Sequence, residues 1–303
     1  MRIPWRRVAG ALVMLLAFGF LVALVRSQWA ELQAYEWRLA PEWAGLAAVG
    51  LAAAWLVEIQ IWRAILRSLG GHLTYRSAVQ VWFLSNIIRY IPGNIWQFLG
   101  MAELAAESGV ARLLTLTSIA LHQVISTASG LAVAAALLAA TGQGAGFDRL
   151  RPLLWFAPLG LLLLQPALIE RVLNWLLARF GRPPVRVTLT WRQVWLLAGG
   201  YAVFWLMQGL SFAALVHGLT GGDAPAAFYL VATWVGAYLI GFLSLLTPSG
   251  LGVREGALVL LLSPLLPGAV AAVVAIVARL WMVVVEFLAA GVALLLRTGS
   301  RRA

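Results

Sequence analysis

Seven runs of this chain, 8–25, 43–62, 112–140, 152–168, 193–217, 226–246 and 268–296, are almost wholly apolar. Each is of the length, about 20 residues, that a helix needs to cross a hydrocarbon core about 30 Å thick. That feature leaves little choice of fold. Within lipid every backbone N–H and C=O must find its partner inside the chain, so only helices and closed barrels span a membrane. Unbroken apolar runs are the helical solution. The sequence therefore predicts an all-α polytopic membrane protein, with residues 1–303 as a single transmembrane domain. Composition agrees: 62% of residues are hydrophobic and 11% charged, against about 25% charged in soluble domains. A soluble enzyme and a disordered regulator are both excluded. The absence of cysteine excludes disulfides, thiolate metal sites and thiol catalysis. Arg2, Arg6 and Arg7 precede the first run as in a signal peptide. The run is longer than a signal core and no small-residue cleavage site follows, so it is expected to stay as a helix.

The formal net charge is +11, and every basic residue is arginine. In a soluble chain this would point to nucleic acid. Here it points to cytoplasmic loops beside anionic lipid, and no nucleic-acid partner is expected. The arginines cluster in 1–7, in 63–76 (Arg63, Arg67, Arg76), in 169–192 (Arg171, Arg179, Arg182, Arg186, Arg192) and in the tail (Arg297, Arg301, Arg302). The positive-inside rule puts these stretches in the cytoplasm and loops 26–42, 141–151 and 217–226 outside. Both termini are then cytoplasmic, in the cytoplasmic membrane of a bacterium or archaeon. Parity adds a constraint. Between cytoplasmic 63–76 and 169–192, the short pieces 77–91 and 94–106 must cancel as a re-entrant hairpin turning at Ile91-Pro92-Gly93-Asn94. Piece 252–266 must run outward before 268–296 returns. The expectation is about eight transmembrane helices plus one re-entrant hairpin.

Two Pro/Gly interruptions mark the interior. One runs from Arg89 through Pro92, Gly93 and Asn94 to Gln97; the other from Thr247 through Pro248, Gly250 and Gly252 to Arg254, Glu255 and Gly256. Proline removes a backbone donor and glycine admits conformations that other residues avoid. Broken helix in lipid is tolerated where it lines a cavity. A pair of such breaks in two halves is the pattern of an inverted-repeat transporter; the plainer alternative is a pair of interhelical loops. A half-helix starting after Gly252 would aim its free N–H groups at the break, and Arg254 on its first turn would complete an anion site.

Other ionisable groups inside spans each need a reason, since insertion costs about 2.5–3.5 kcal/mol at a helix centre. Glu58, near the cytoplasmic end of 43–62, reads either as an Arg63 partner or as a functional carboxylate. Arg279 and Glu286 share a helix face; they read as a fixed ion pair, or as headgroup and Glu255 contacts. His122 and Ser126 share a face, and His122 reads as an interhelical hydrogen-bonding group. No second histidine or carboxylate lies near enough to suggest a metal, and no cofactor is expected. Gln165 and Gln208 read as polar links between helices. Glu103 and Glu107 are either solvated or line the cavity opposite Arg254.

Pro248-Ser249-Gly250-Leu251-Gly252-Val253-Arg254-Glu255-Gly256 resembles the P-x-G-x-G-x-R-E signature of the lysylphosphatidylglycerol synthase transmembrane (flippase-like) family. Ile91-Pro92-Gly93 followed by Gly100 is similar to that family's earlier I-P-G segment, although Asn94-Ile95-Trp96 stands where a further glycine is usual. The resemblance covers about residues 45–296. It implies the lipid-translocating part of such proteins, since no stretch here resembles the soluble aminoacyl-transferase domain of fused members. The lipids it implies are anionic, aminoacylated or polyprenyl-linked.

Three function classes follow. The first is a flippase-like transporter carrying a charged or glycosylated headgroup through a polar cavity between the two breaks. The second is a scaffold or regulator for a separate lipid-modifying transferase. The third is an intramembrane lipid-modifying enzyme using Ser249, His122, Glu255 or Glu103. No nucleophile–base arrangement supports the third, so the chain is not read as an enzyme. The sequence has no ATP-binding motif. Proton carriers for any driven movement would be among Glu58, Glu103, Glu255 and Glu286.

Overall fold

The computed structural model describes residues 40–88, 96–141, 164–179, 189–221, 225–243 and 252–300, with Gly250 and scattered positions in 26–37 and 181–187. The first apolar run, most of 152–168 and the first break at 89–95 lie outside the described residues. The described helices are α1 (Trp29–Ala34), α2 (Pro41–Ser68), α3 (Tyr75–Ile87), α4 (Trp96–Ala106), α5 (Arg112–Thr141), α6 (Pro166–Arg179), α7 (Trp191–Thr220), α8 (Ala227–Leu243), α9 (Val253–Leu262) and α10 (Gly268–Ser300). The chain is all-α across these residues. Helices α2, α5, α7 and α10 are long and apolar enough to cross a bilayer, and they hold the runs 43–62, 112–140, 193–217 and 268–296.

Local chemistry sets the helix ends. Pro41 opens α2 where a helical N–H would go unused, and Glu42 beside it faces the positive end of the dipole. Gly70, at φ +90°, ends the same helix, its N–H returning to the Arg67 carbonyl. Thr190 and Gln193 form a reciprocal capping box at the start of α7.

The segment 169–192, expected as an arginine-rich cytoplasmic stretch, begins as a helix. Its first part belongs to α6, in which Ile169, Leu173 and Leu177 recur every four residues and turn inward, while Arg171 and Trp175 stay exposed. The arginines interleaved with that stripe conceal an amphipathic helix from a search for long apolar runs.

Helices α2 and α7 are antiparallel. Gly50 faces Ser211, Gly200 faces Ile61, Gly218 faces Trp43, and the Ala40 N–H reaches the Gly218 carbonyl at 2.9 Å. Small residues allow this close approach. Helix α5 runs parallel to α7: the Trp205 indole N–H donates to the Ser126 carbonyl at 2.8 Å. It lies antiparallel to α2, with the Trp62 indole N–H donating to Ser118 Oγ at 2.9 Å.

Two short hairpins sit among these long helices. In the first, α3 and α4 have 13 and 11 residues, which rise about 20 and 16 Å, against a core about 30 Å thick. The Gln97 amide donates to Asn86 Oδ1 at 2.8 Å across the pair, and Gly100 faces Ile88. In the second, Tyr229 Oη donates to the Leu261 carbonyl at 2.6 Å, joining the start of α8 to the end of α9. Helix α9 has 10 residues, which rise about 15 Å, half the core. Within the apolar piece 252–266 the helix ends at Leu262, and Ser263 to Leu266 turn.

The order long helix, hairpin, long helix occurs twice. Helices α2 to α5 begin at residues 41, 75, 96 and 112, and α7 to α10 begin at 191, 227, 253 and 268. Because α2 and α7 are antiparallel, the two units are inverted. Arg76 at the start of α3 donates to the Leu296 carbonyl near the end of α10. The basic stretch 63–76, the start of α7 and the end of α10 thus share one end of the bundle. Residues 40–41, the end of α7 and the start of α8 share the other.

Candidate functional site

Glu58 lies ten residues before the end of α2 at Ser68, His122 ten after the start of α5 at Arg112, and Tyr201 ten after the start of α7 at Trp191. Ten residues rise about 15 Å, so all three reach one depth, near the middle of a core about 30 Å thick. Helix α2 continues past the predicted end of its span, which puts Glu58 inside the bundle rather than near a membrane surface. All three residues are buried. His122 Nδ1 is 2.5 Å from Tyr201 Oη, and His122 Nε2 is 3.7 Å from Glu58 Oε1. The Trp82 ring stands edge-on to the imidazole, at 87° and 5.3 Å between centroids. Arg63 turns elsewhere, donating to Gln60 Oε1 at 2.9 Å and to the Leu73 carbonyl at 2.8 Å.

Glu58 and His122 line a polar cavity of about 60 Å³. Both hairpins contribute to it: Asn86 and Gln97 from the first, Tyr238 from the second. Met282 of α10 closes one side, and Gln123 and Gln208 add amides. Buried Trp82 also lines it, and its indole N–H has no hydrogen-bond partner among the described residues.

Arg254 lies directly behind this wall. It is buried, with its guanidinium carbon 4.2 Å from the centre of the Trp234 ring and 5.2 Å from that of Tyr238, and Nη1 is 3.3 Å from Met282 Sδ. A cation over aromatic faces gains about 0.5–2 kcal/mol, most when desolvated. Trp234 is held in turn by its indole N–H, which donates to Gln208 Oε1 at 3.1 Å. The second break makes this placement possible. Gly250 and Gly252 take φ of +65° and +83°, a region open to glycine. A methyl on Gly250 would come within 2.9 Å of the Gly241 backbone, and one on Gly241 within 2.8 Å of Arg254 Cβ.

The start of α9 is occupied differently from the expected anion site. Glu255, at the third helical position, accepts the Gly252 N–H at 2.7 Å, so the chain's own carboxylate meets the first exposed donor. Its other oxygen is 3.9 Å from Arg279 Nε. Arg279 is thus in contact with Glu255, one of the partners expected for it. Arg279, Met282 and fully buried Glu286 recur at three and four residues and share a face of α10.

The structure brings together Gln97, His122, Arg254, Glu255, Arg279, Gly250 and Gly252 around the cavity and the wall behind it. Glu103 does not join them. Its carboxylate makes two 2.7 Å bonds with Arg112, and both side chains are about 60% exposed. Arg89, Pro92, Gly93, Asn94 and Pro248 lie outside the described residues. Sequence reading missed Tyr201, Trp82, Asn86, Trp234 and Tyr238. Asn86, a buried amide inside a short apolar helix, is the one that carried a signal.

A family model described as Lysylphosphatidylglycerol synthase TM region matches residues 7–290. A search of curated proteins returned no match.

Proposed function

The chain belongs to the lysylphosphatidylglycerol synthase TM region family, and on that premise we propose that it is a lipid translocator. It moves a charged or glycosylated headgroup across the cytoplasmic membrane, leaving the acyl or prenyl tails in lipid. One observation carries this reading: the two hairpins that hold the Pro/Gly breaks meet at a single polar cavity near mid-depth. A polar cavity among spans is costly unless used, and inverted units meeting at the midplane are the architecture of alternating access.

The topology that fits has both hairpins re-entrant, one from each side. α2, α5, α7 and α10 then cross, together with the runs 8–25 and 152–168. The arginine-rich end faces the cytoplasm, with both termini there. At about 60 Å³ the cavity admits a few waters rather than a headgroup. Transport thus requires the first hairpin to open, and the Gln97–Asn86 bond across its two helices is the contact that must break. Substrates are anionic, aminoacylated or polyprenyl-linked lipids.

The test is headgroup translocation in proteoliposomes holding tail-labelled phosphatidylglycerol, lysyl-phosphatidylglycerol or a polyprenyl-phosphate sugar. Wild type moves at least one of them, and Arg254→Ala abolishes the movement while the protein stays monodisperse. Movement of none would overturn the reading in favour of a scaffold, and co-purification with a separate lipid-modifying transferase would then be sought.

A further inference from the structure

A second hollow, of about 480 Å³, lies on another face of α7 from the polar cavity. Phe204 and Gln208 line the cavity, whereas Met207, Leu210, Ala214 and His217 line the hollow. These four recur at three and four residues and form one stripe along the helix. Trp43, Leu46 and Gly50 of α2 make the facing wall, and Pro225, Ala227 and Leu230 at the start of α8 make the third. Small residues create the space: Gly50 has no side chain, and Ala213, Ala214 and Ala227 offer it only methyl groups. Packed interiors leave few voids larger than a water molecule, so a hollow of this size is a built feature. Its volume falls within the range of about 300–1,000 Å³ usual for ligand pockets.

Its position determines what can fill it. Helices α2 and α7 are long and apolar enough to cross the bilayer. Leu46 and Leu210 line the hollow and are 57% and 52% exposed, so it opens sideways, as a groove, onto the surface that faces lipid. The groove starts beside Trp43 and His217, whose rings meet edge to face at 4.6 Å. They stand at the end of the bundle opposite the arginines, which is the outer end on the topology above. Gly50 lies nine residues from the start of α2 at Pro41, and Met207 thirteen from the end of α7 at Thr220. Those lengths rise about 14 and 20 Å, so the groove runs to about the depth of one leaflet. An occupant entering from the side over that depth is a hydrocarbon tail. The Ser211 hydroxyl on the wall already donates to the Met207 carbonyl at 2.8 Å, in keeping with such an occupant. A tail gains nothing from apolar burial here, because the lipid it leaves is as apolar as the groove. Preference for one lipid therefore comes from shape, through dispersion contacts with a fixed wall.

Resting on the translocator reading, we propose that this groove is the tail site of the translocated lipid in the outer leaflet. One tail lies along the α7 stripe. The headgroup sits at the outer end beside Trp43 and His217, where rings with an apolar body and a polar tip suit the interface. Met207 and Gln208 are neighbours in the chain, so the deep end of the groove is one residue from the cavity wall. A lipid whose headgroup leaves the cavity outward keeps its tail against the same helix.

The experiment uses the full chain in phosphatidylcholine proteoliposomes. Trace phosphatidylglycerol, lysyl-phosphatidylglycerol, a polyprenyl-phosphate sugar or phosphatidylcholine is added, each with a diazirine in one tail. Translocation is followed, the sample is irradiated, and labelled residues are read by mass spectrometry. Val49 is the reference, because it lies between Leu46 and Gly50 on α2, beside the groove, and is 68% exposed. A lipid that moves is expected to label Leu46 and Ala214 in excess of Val49, and the bulk phosphatidylcholine to show no such excess. Ala214→Phe and Ala227→Phe fill the groove from two walls, and each is expected to abolish the excess and slow translocation. Val49→Phe is expected to do neither. Equal labelling of the three positions by a lipid that moves, or the same excess from phosphatidylcholine, overturns the proposal and leaves the translocator reading standing. If no lipid moves, both fall, and any excess at the groove marks a resident lipid only.

Discussion

Glu255 accepts the backbone N–H of Gly252 at 2.7 Å, so one carboxylate both caps α9 and, through its other oxygen, faces Arg279 at 3.9 Å. The two functions separate by substitution. Glutamine at this position keeps the reverse half of the capping box and loses the charge. Alanine loses both. Glu255→Ala is therefore expected to unfold below Glu255→Gln, by about 1 kcal/mol for the cap. Both fall below wild type, because removing one partner of a buried pair costs about 3–5 kcal/mol. Thermal unfolding in nanodiscs gives the order; equal midpoints for the two variants would mean that the cap contributes nothing.

Gly250 and Gly241 are expected to resist alanine for different reasons. Gly250 combines a φ of +65° with the Gly241 backbone 2.9 Å from any added methyl. A left-handed backbone alone costs a non-glycine residue about 1–2 kcal/mol, and the neighbour that would have to move is main chain. Gly241→Ala instead presses on Arg254 Cβ and should displace the guanidinium from its rings. Gly45, with open space around it, is the control: Gly45→Ala should be neutral or stabilising by up to about 1 kcal/mol from helix propensity. Melting temperatures rank the three.

Trp234 gives Arg254 its closest ring, at 4.2 Å, and its own N–H reaches Gln208 at 3.1 Å. Trp234→Phe keeps a ring and loses the hydrogen bond, whereas Trp234→Leu loses both. Loss of the cation–π contact costs about 1–2 kcal/mol. A factor of ten corresponds to about 1.4 kcal/mol, so Trp234→Leu should lower headgroup translocation about tenfold, with Trp234→Phe between it and wild type. Glu103→Gln should leave translocation unchanged, because its Arg112 pair is exposed and away from the cavity.

Much of this architecture is legible in the sequence because the bilayer sets it. The runs 43–62, 112–140, 193–217 and 268–296 announce α2, α5, α7 and α10, since nothing else in a chain has that length with so few charges. The Pro/Gly breaks likewise announce the hairpins. What stays hidden is depth and partnership. Arg254 stands out in its motif, yet its direction is set by Trp234 and Tyr238, which on α8 look like any other aromatic residues of an apolar helix. Glu58 stands out as a carboxylate, but α2 runs to Ser68 and so carries it inward, opposite a histidine two hairpin helices later in the chain. The ten residues of α9 sit inside an apolar piece that reads as a short crossing until Tyr229 ties its far end back to the start of α8.

That hairpin gives the last prediction. The chain has no cysteine, so single cysteines report sidedness directly. Ser108, between α4 and α5, is exposed, as are Ala226 before α8 and Leu265 after α9. With both hairpins re-entrant from opposite sides, Ser108→Cys should react with a membrane-impermeant maleimide only from the arginine-rich, cytoplasmic face. Ala226→Cys and Leu265→Cys should react only from outside. A cysteine replacing Ser249, at the second break, separates this arrangement from eight full crossings. Eight crossings deliver the break to the cytoplasmic surface, so that Ser249→Cys would label there at the rate of Ser108→Cys. A re-entrant hairpin keeps the break within the core, because α9 is 10 residues long and rises about 15 Å from its outer end. Labelling of Ser249→Cys should then be slow from the cytoplasm and should rise when a transported lipid opens the cavity. Fast cytoplasmic labelling without lipid would exclude the re-entrant second hairpin and restore two crossings in its place.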